Sequence, residues 1–97
     1  MRAKRTDANQ EHIVKELRKM GYSVFITSMV GNGFGDIVVG AKRGHQKLNF
    51  IFEIKDGAKH LSQQKLTNLE NLFHLTWKGQ VDIITCVQDA IDIITKF

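Results

Sequence analysis

The hydrophobic positions of the chain follow two periods, and each period predicts a different kind of element. The helical period predicts a first helix over residues 8–20, with Asp7 or Asn9 as its cap and Gly21 at its end. The apolar positions of this helix, at i, i+3, i+4 and i+7 spacing, are Ile13, Val14, Leu17 and Met20. This stripe predicts that one face of the helix packs on the rest of the protein.

Four runs rich in β-branched and aromatic residues predict strands. The runs cover residues 23–27, 33–40, 48–55 and 81–87. The polar residues between the second and third runs predict a hairpin turn over residues 41–47.

A second helix is predicted between the third and fourth strands, beginning near Ser62 or Thr67 and ending at Gly79. A last helix should begin at Gln88 or Asp89. The order α-β-β-β-α-β-α puts a strand after a helical crossover, so we expect one α/β domain over residues 1–97, with a mixed sheet flanked by helices. The apolar residues of the second helix, which we expect in the core, are Leu66, Leu69, Leu72, Phe73 and Trp77.

Charge is distributed unevenly along the chain. Residues 1–65 contain 12 Lys and Arg against 6 Asp and Glu, whereas residues 66–97 contain 2 against 4. A basic surface suits a polyanion, and a solvated surface of mixed charge is the alternative interpretation. The chain has no apolar signal segment and no apolar run of membrane-spanning length, so we expect an intracellular protein that makes no membrane contact. The single Cys86 excludes an internal disulfide, and its apolar surroundings predict a buried thiol.

The candidate chemistry lies at the ends of the second and third strands. Asp36 opens the second strand, and Glu53 and Lys55 come near the end of the third. Because strand side chains alternate between faces, Glu53 and Lys55 point the same way. This arrangement can hold a divalent cation beside a phosphate, and the alternative is a strand-end salt bridge. A dinucleotide loop at residues 31–36 is disfavoured, because Asp36 stands at its sixth position and a strand follows it.

The element order and the Asp…Glu-x-Lys pattern resemble the PD-(D/E)xK nuclease superfamily, and within it the stand-alone VRR-NUC-type domains of phages and prophages. Two departures from the family pattern occur. Gly35 precedes Asp36 where the family usually has Pro, and Glu70 stands where phage relatives often have Gln. The matching positions, which extend almost from end to end, include Gln10, Leu17, Gly21, Asp36, Gly40, Glu53, Lys55, Gly57, Leu66, Phe73, His74, Trp77 and Gly79.

The resemblance implies a Mg²⁺-dependent DNA endonuclease, with Mn²⁺ as an expected substitute. Asp36, Glu53 and the Ile54 carbonyl would bind the metal, Lys55 would act on the attacking water or the phosphorane, and Gln10 would point towards the metal. Relatives of this kind resemble Holliday-junction resolvases, so we expect selection of branched or junction DNA structure rather than of sequence. The alternatives are a DNA-binding or assembly module of the same fold with weak or lost catalysis, and an unrelated protein-interaction domain.

Two further expectations concern partners in the bacterial or phage-infected cytoplasm. We expect a homodimer, because a junction presents two symmetric scissile strands. The apolar residues considered for its interface are Met29, Val30, Ile93, Ile94 and Phe97. The residues expected to contact DNA phosphates are Arg2, Lys4, Arg5, Lys42, Arg43, Lys59, His60 and Lys65.

Overall fold

The computed structural model describes residues 8–56 and 65–97. Their order of elements is α-β-β-β-α-β-α. The elements are α1 (Ala8–Lys19), β1 (Ser23–Ile26), β2 (Ile37–Arg43), β3 (Gln46–Ile54), α2 (Asn68–Thr76), β4 (Val81–Ile84) and α3 (Val87–Thr95). The expectation of an α/β protein with a mixed sheet flanked by helices is confirmed at this level.

The four strands form one sheet in the order β1-β2-β3-β4. The first two pairings are antiparallel, and β4 lies parallel to β3 after the crossover through α2. Ile37 of β2 pairs with Phe52 of β3, so Asp36 comes directly before the last described pair of this ladder. The carboxyl end of β3 therefore meets the start of β2, which brings the two candidate strand ends together.

The hairpin between β2 and β3 is tighter than the sequence predicted. Only Gly44 and His45 form the turn, and Lys42 pairs with Lys47 within the strands. Gly44 has a φ of 63°, which glycine adopts at little steric cost in a two-residue hairpin. The predicted seven-residue turn is therefore wrong, because polar side chains are compatible with the end of a two-stranded ladder.

The hydrophobic core lies between one face of the sheet and the pair of helices α1 and α3. Phe50 and Phe52 stack at 6.1 Å between ring centroids at its centre. The wholly buried residues that the two helices add are Ile13, Leu17, Ala90 and Ile94. The apolar stripe predicted for the first helix is confirmed, except that Met20 is exposed and lies beyond the helix.

Two helix starts differ from the prediction. Asn9 lies inside α1 and does not cap it, and Asp7 falls outside the described residues. The last helix begins at Val87, earlier than predicted, with Cys86 as its cap residue. Because β4 already ends at Ile84, Cys86 lies beyond the sheet and is exposed, so the prediction of a buried thiol is wrong.

The helix α2 is the element that departs furthest from the prediction. It begins after Thr67, and the alternative start at Ser62 lies outside the described residues. Trp77 follows the helix as its C-cap residue. None of the nine residues of α2 is buried, and Leu69 and Leu72 are more than half exposed, so the expected core role of these leucines is wrong. No helix in the described part of the chain has the length and apolar character needed to cross a bilayer.

Candidate functional site

Asp36 is fixed to the carboxyl end of β3 by two hydrogen bonds. Its N–H donates to the Phe52 carbonyl at 2.8 Å, and its Oδ2 accepts from the Ile54 N–H, also at 2.8 Å. Its carbonyl accepts from the Thr27 N–H at 2.8 Å, which continues the β1–β2 ladder by one position. The Asp36 side chain is thus held at the junction of three strands, and only 8% of the residue is exposed.

Glu53 points away from the apolar core, because it alternates along β3 with the core residue Phe52. It is nevertheless only 3% exposed. Burial, together with the charges of Asp36 and Glu70, raises the pKa of Glu53 from 4.5 to about 8, although Lys55 opposes this shift. The Oε1 atom of Glu53 is buried and has no hydrogen-bond partner among the described residues. A side-chain hydrogen bond with Asp36 also contributes to the raised pKa, so Glu53 is neutral at neutral pH, and its ionised form would need a cation or a donor at Oε1.

Lys55 lies between two carboxylates. Its Nζ is 3.5 Å from Glu53 Oε2 and 3.2 Å from Glu70 Oε1. Burial alone would lower the pKa of Lys55, but the hydrogen bond and charge of Glu70, followed by those of Glu53, raise it. The ammonium is therefore charged at neutral pH and held at the site.

Glu70 was not predicted as a site residue, and the structure brings it to Lys55 from the first turn of α2. Burial would raise its pKa, but the Thr67 N–H and Lys55 lower it further than burial raises it. The sequence signal was Thr-x-x-Glu, which predicts a capping box at residues 67–70 but says nothing about contact with β3. The contact depends on where the crossover places the helix.

The first helix also contributes to this end of the sheet. Asn9 Nδ2 donates to the carbonyl of Lys55 at 3.3 Å and to that of Thr85 at 3.2 Å, which ties α1 to the ends of β3 and β4. Gln10 is 5% exposed, and its Nε2 donates to Ser28 Oγ at 3.5 Å. Ser28 follows Thr27, whose N–H donates to the Asp36 carbonyl. Gln10 therefore lies at the end of the sheet where Asp36 precedes β2, and its approach to a metal stays a prediction.

The residues predicted to bind DNA are only partly brought to this site. Lys42 and Arg43 lie at the hairpin, and Lys42 is roughly 20 Å along β2 from Asp36 at about 3.3 Å per residue. Arg43 donates to the Ile94 carbonyl at 2.7 Å, so its guanidinium is hydrogen-bonded to the last turn of α3. Lys65 is exposed before α2. The predicted residues that fall outside the described ranges are Arg2, Lys4, Arg5, Lys59 and His60.

A basic groove between α1 and β1, which sequence reasoning missed, begins at Gln10. Its volume is about 560 Å³, and Ile26 and Val14 form apolar parts of its wall. Arg18 spans it by donating to the Val24 carbonyl at 2.9 Å. The charged side chains that line the groove are Glu11, Lys15, Arg18 and Lys19. The spacing of these charges along one helix was visible in the sequence, but the sequence did not show that β1 lies beside this face of the helix.

The donor set suits a divalent cation in chemistry, although a complete ligand shell is not formed. Within residues 8–56 and 65–97, no group of three or more His, Cys, Asp or Glu side chains has the spacing of a metal site. When all groups are ionised, Asp36, Glu53 and Glu70 against Lys55 give a net charge of −2. One divalent cation balances that charge, and Glu53 Oε1 is an oxygen ligand of the kind that Mg²⁺ prefers.

Comparisons with known proteins add no assignment: the chain matches no family model, no curated protein and no solved structure.

Proposed function

We propose that this protein is a metal-dependent deoxyribonuclease of the PD-(D/E)xK superfamily, similar to the VRR-NUC-type domains, with Asp36, Glu53 and Lys55 as its active site. The observation that carries the proposal is the buried Glu53, whose Oε1 lacks a partner among the described residues and which lies beside a second carboxylate and a lysine. A strand-end salt bridge through Oε2 would leave Oε1 of the ionised Glu53 unsatisfied, which a cation would correct. The element order and the parallel β3–β4 pair also agree with the core expected of that superfamily.

Phosphodiester hydrolysis needs a water made nucleophilic and a phosphate whose charge is neutralised. Asp36 and Glu53 would hold a divalent cation, with the Ile54 carbonyl as a further ligand implied by the resemblance. When bound, the cation lowers the pKa of water and neutralises phosphate charge. Lys55 donates its N–H groups to the oxygens on which negative charge develops. Glu53, whose pKa is about 8, has to release its proton before it can bind the cation at neutral pH.

The test of the metal site is the variant Asp36→Asn, which keeps an oxygen acceptor for the Ile54 N–H while removing the charge. The matched control is Asp92→Asn, because the exposed Asp92 carboxylate on α3 accepts only from Gln88 among the described residues. Four-way, flap, nicked and linear duplex DNA are incubated with Mg²⁺, Mn²⁺ or EDTA. We expect cleavage by the wild type and by the control, loss of cleavage with EDTA, and none by Asp36→Asn or Asp36→Ala.

Calorimetric titration with Mn²⁺ separates metal binding from catalysis. We expect the wild type and Asp92→Asn to bind and Asp36→Asn to lose binding. Equal binding by all three proteins would remove Asp36 from the site. Binding of Mn²⁺ and DNA without cleavage of any substrate would instead favour a catalytically inactive DNA-binding module of the same fold.

We also propose that the DNA backbone follows the basic groove between α1 and β1. The groove leads away from Gln10, and the helix from Gln10 to Lys19 spans about 13 Å. Lys15, Arg18 and Lys19 against Glu11 give its lining a net charge of +2. The hairpin lysines, by contrast, lie at the far end of β2 from Asp36. The geometry therefore favours the groove over the hairpin as the route to the site.

Two lysine pairs test this route. Lys15→Ala with Lys19→Ala removes two groove charges, whereas Lys42→Ala with Lys47→Ala removes two that face each other on the hairpin. For duplex DNA, the slope of log affinity against log salt changes by about 0.9 for each phosphate that the protein neutralises. We expect the groove pair to reduce the magnitude of the slope by nearly 2 and the hairpin pair to leave it almost unchanged. The reverse result would place DNA on the hairpin.

We further propose a homodimer, in which a second copy places a second site on the opposite strand of a branched substrate. Met29 and Val30 are 56% and 60% exposed, and Phe97 is 53% exposed, so these residues are available to an interface. Ile94 is wholly buried in the core and Ile93 packs against it, so Ile94 is removed from the interface considered above. Light scattering should give roughly twice the chain mass of 11.0 kDa, and the double variant Met29→Ser, Val30→Ser should give the single mass.

A further inference from the structure

The carboxylate of Glu70 performs two tasks with one oxygen atom. Its Oε1 accepts from the Thr67 N–H at 2.9 Å, which is half of the capping box at the start of α2. The same Oε1 accepts from Lys55 Nζ at 3.2 Å. In return, the Glu70 N–H donates to Thr67 Oγ1 at 3.2 Å. The cap of α2 and the lysine of the candidate active site therefore share a single atom.

The start of α2 is held in place by the glycine-rich loop before β2. A Cβ built on Gly33 would overlap the Leu69 carbonyl and lie 2.9 Å from the Glu70 nitrogen, so the loop and the helix backbone are in direct contact. Phe34 packs edge-on against Phe73 at 5.3 Å between ring centroids. These contacts flank Glu70 and fix the position from which its side chain reaches Lys55.

The titratable groups around the Lys55 ammonium come from β3, from α2 and from the residue before β2. Glu53 lies on its own strand, and Glu70 lies on α2. Asp36 faces Glu53 from the position before β2, while His74 of α2 is within electrostatic reach of Glu70, Lys55 and Asp82. Of these groups only Glu53 and Glu70 contact Lys55 among the described residues. Because Glu53 is a candidate metal ligand, Glu70 is the contact left to hold the lysine when a metal is bound.

We propose that Glu70 is a positioning residue that holds the Lys55 ammonium at the site through the oxygen that also caps α2. The catalytic consequence rests on the proposed nuclease function, but the placement itself does not. A free lysine side chain loses conformational entropy when it is ordered. Glu70 orders it in advance, so this cost does not fall on the reaction.

A role in capping alone is the competing explanation, and Glu70→Gln separates the two. Glutamine at residue 70 keeps an oxygen that can accept from the Thr67 N–H, but it removes the negative charge that holds Lys55. Glu70→Ala removes both. The matched control is Glu16→Gln, which makes the same chemical change at a carboxylate that pairs with the exposed Lys19 at 3.5 Å on α1.

The decisive measurement is the NMR order parameter of the Lys55 side-chain ammonium in the metal-free protein, which needs no catalysis. We expect it to fall clearly in Glu70→Gln and to stay at the wild-type value in Glu16→Gln. The melting temperature should stay at the wild-type value in Glu16→Gln and fall less in Glu70→Gln than in Glu70→Ala. In the presence of Mg²⁺ and DNA, Glu70→Gln should lower kcat on the order of tenfold or more and leave KM nearly unchanged.

Each other outcome is decisive. An unchanged Lys55 order parameter in Glu70→Gln overturns the proposal, whatever happens to cleavage. A loss of stability in Glu70→Gln as large as that in Glu70→Ala, with kcat falling only as the folded fraction falls, assigns Glu70 to the cap alone and also overturns it. A wild-type protein that cleaves no DNA while Lys55 is ordered through Glu70 overturns the proposed function and leaves the positioning of Lys55 established.

Discussion

The helices α1 and α2 have similar apolar periodicity in the sequence but are held in the protein by different means. α1 buries Ile13, Val14 and Leu17 against the sheet, with two of the three completely inaccessible. α2 buries none of its nine residues and exposes Leu69, Leu72 and Leu75 by more than half. It is held instead by its N-terminal cap, the loop contacts of Gly33 and Phe34, and the ion pair to Lys55.

This difference shows that apolar spacing predicts a helix but not the surface that covers it. In α1, hydrophobic burial dominates, and each buried CH₂ group is worth about 0.8 kcal/mol. In α2, the cap, the ion pair to Lys55 and the loop contacts of Gly33 and Phe34 set the position of the helix. The ion pair is also part of the candidate site. The free energy of unfolding should therefore depend on the volume of the buried side chains in α1, and on hydrogen bonds and charge in α2.

The difference between α1 and α2 predicts its largest effect on the free energy of unfolding when a leucine of each helix is replaced by alanine. Leu17→Ala should lower the free energy of unfolding by about 2–5 kcal/mol, because it leaves a cavity in a completely buried site. Leu72→Ala makes the same chemical change at a residue that is 57% exposed, and it should cost less than about 0.5 kcal/mol. Urea denaturation measures both values. Equal losses would mean that α2 is packed as tightly as α1.

The second prediction concerns the pH dependence of stability at the site. Glu53 has a pKa of about 8 in the folded protein against 4.5 in its ordinary state, so the unfolded chain releases its proton first. The contribution of Glu53 to stability is then fully present below pH 4.5 and is lost between pH 4.5 and about 8, on the order of a few kcal/mol. Glu53→Gln should abolish most of this decline. Saturating Mg²⁺ should oppose it, because the ionised carboxylate is the form that binds the cation.

Denaturation across that pH range, without metal, provides the measurement. Glu16→Gln is the control, and it should keep the wild-type decline because Glu16 pairs with an exposed lysine outside the site. A wild-type curve that is flat between pH 4.5 and 8 would contradict the buried, neutral Glu53.

The sequence predicted the parts of the structure that depend on local pattern. Hydrophobic periodicity predicted the first helix and the four strands. The hairpin between the second and third strands placed Asp36 and Glu53 at the same end of the sheet. The sequence did not predict that Glu70 joins Lys55, because that contact depends on where a crossover helix comes to rest. It also did not predict the exposed leucines of α2 or the exposed Cys86. Both depend on which surfaces meet, and side-chain type alone does not determine that.

The third prediction compares two glycines of the loop that contacts α2. Gly31 and Gly33 have nearly the same φ, 82° and 81°, so an alanine is equally strained at both. A Cβ added to Gly33 would overlap the backbone of Leu69 and Glu70, whereas a Cβ added to Gly31 would have nothing within 4 Å. Gly33→Ala should therefore cost about 1–3 kcal/mol more than Gly31→Ala in urea denaturation.

The NMR spectra of Gly31→Ala and Gly33→Ala should differ in the same way as their stabilities. Because Gly33 touches the backbone of Leu69 and Glu70, Gly33→Ala should shift the NMR resonances of Lys55 as well as those of α2. Gly31→Ala should leave the Lys55 resonances in place. Identical stability and spectra for the two variants would show that the loop does not position α2.

The smallest expected effect concerns the hydroxyl that completes the cap. Thr67 Oγ1 accepts from the Glu70 N–H at 3.2 Å, so Thr67→Ala should cost about 1 kcal/mol, while Thr67→Ser, which keeps the hydroxyl, should recover most of it. The control is Thr76→Ala at the other end of α2, where the hydroxyl donates to the Leu72 carbonyl within the helix and the change should stay within about 0.5 kcal/mol. If α2 were held by its leucines, the two alanine variants would lose little and equally. If it is held by its cap, a double-mutant cycle between Thr67→Ala and Glu70→Ala should give a coupling free energy of at least about 0.5 kcal/mol, because each change removes one of the two reciprocal hydrogen bonds of the capping box.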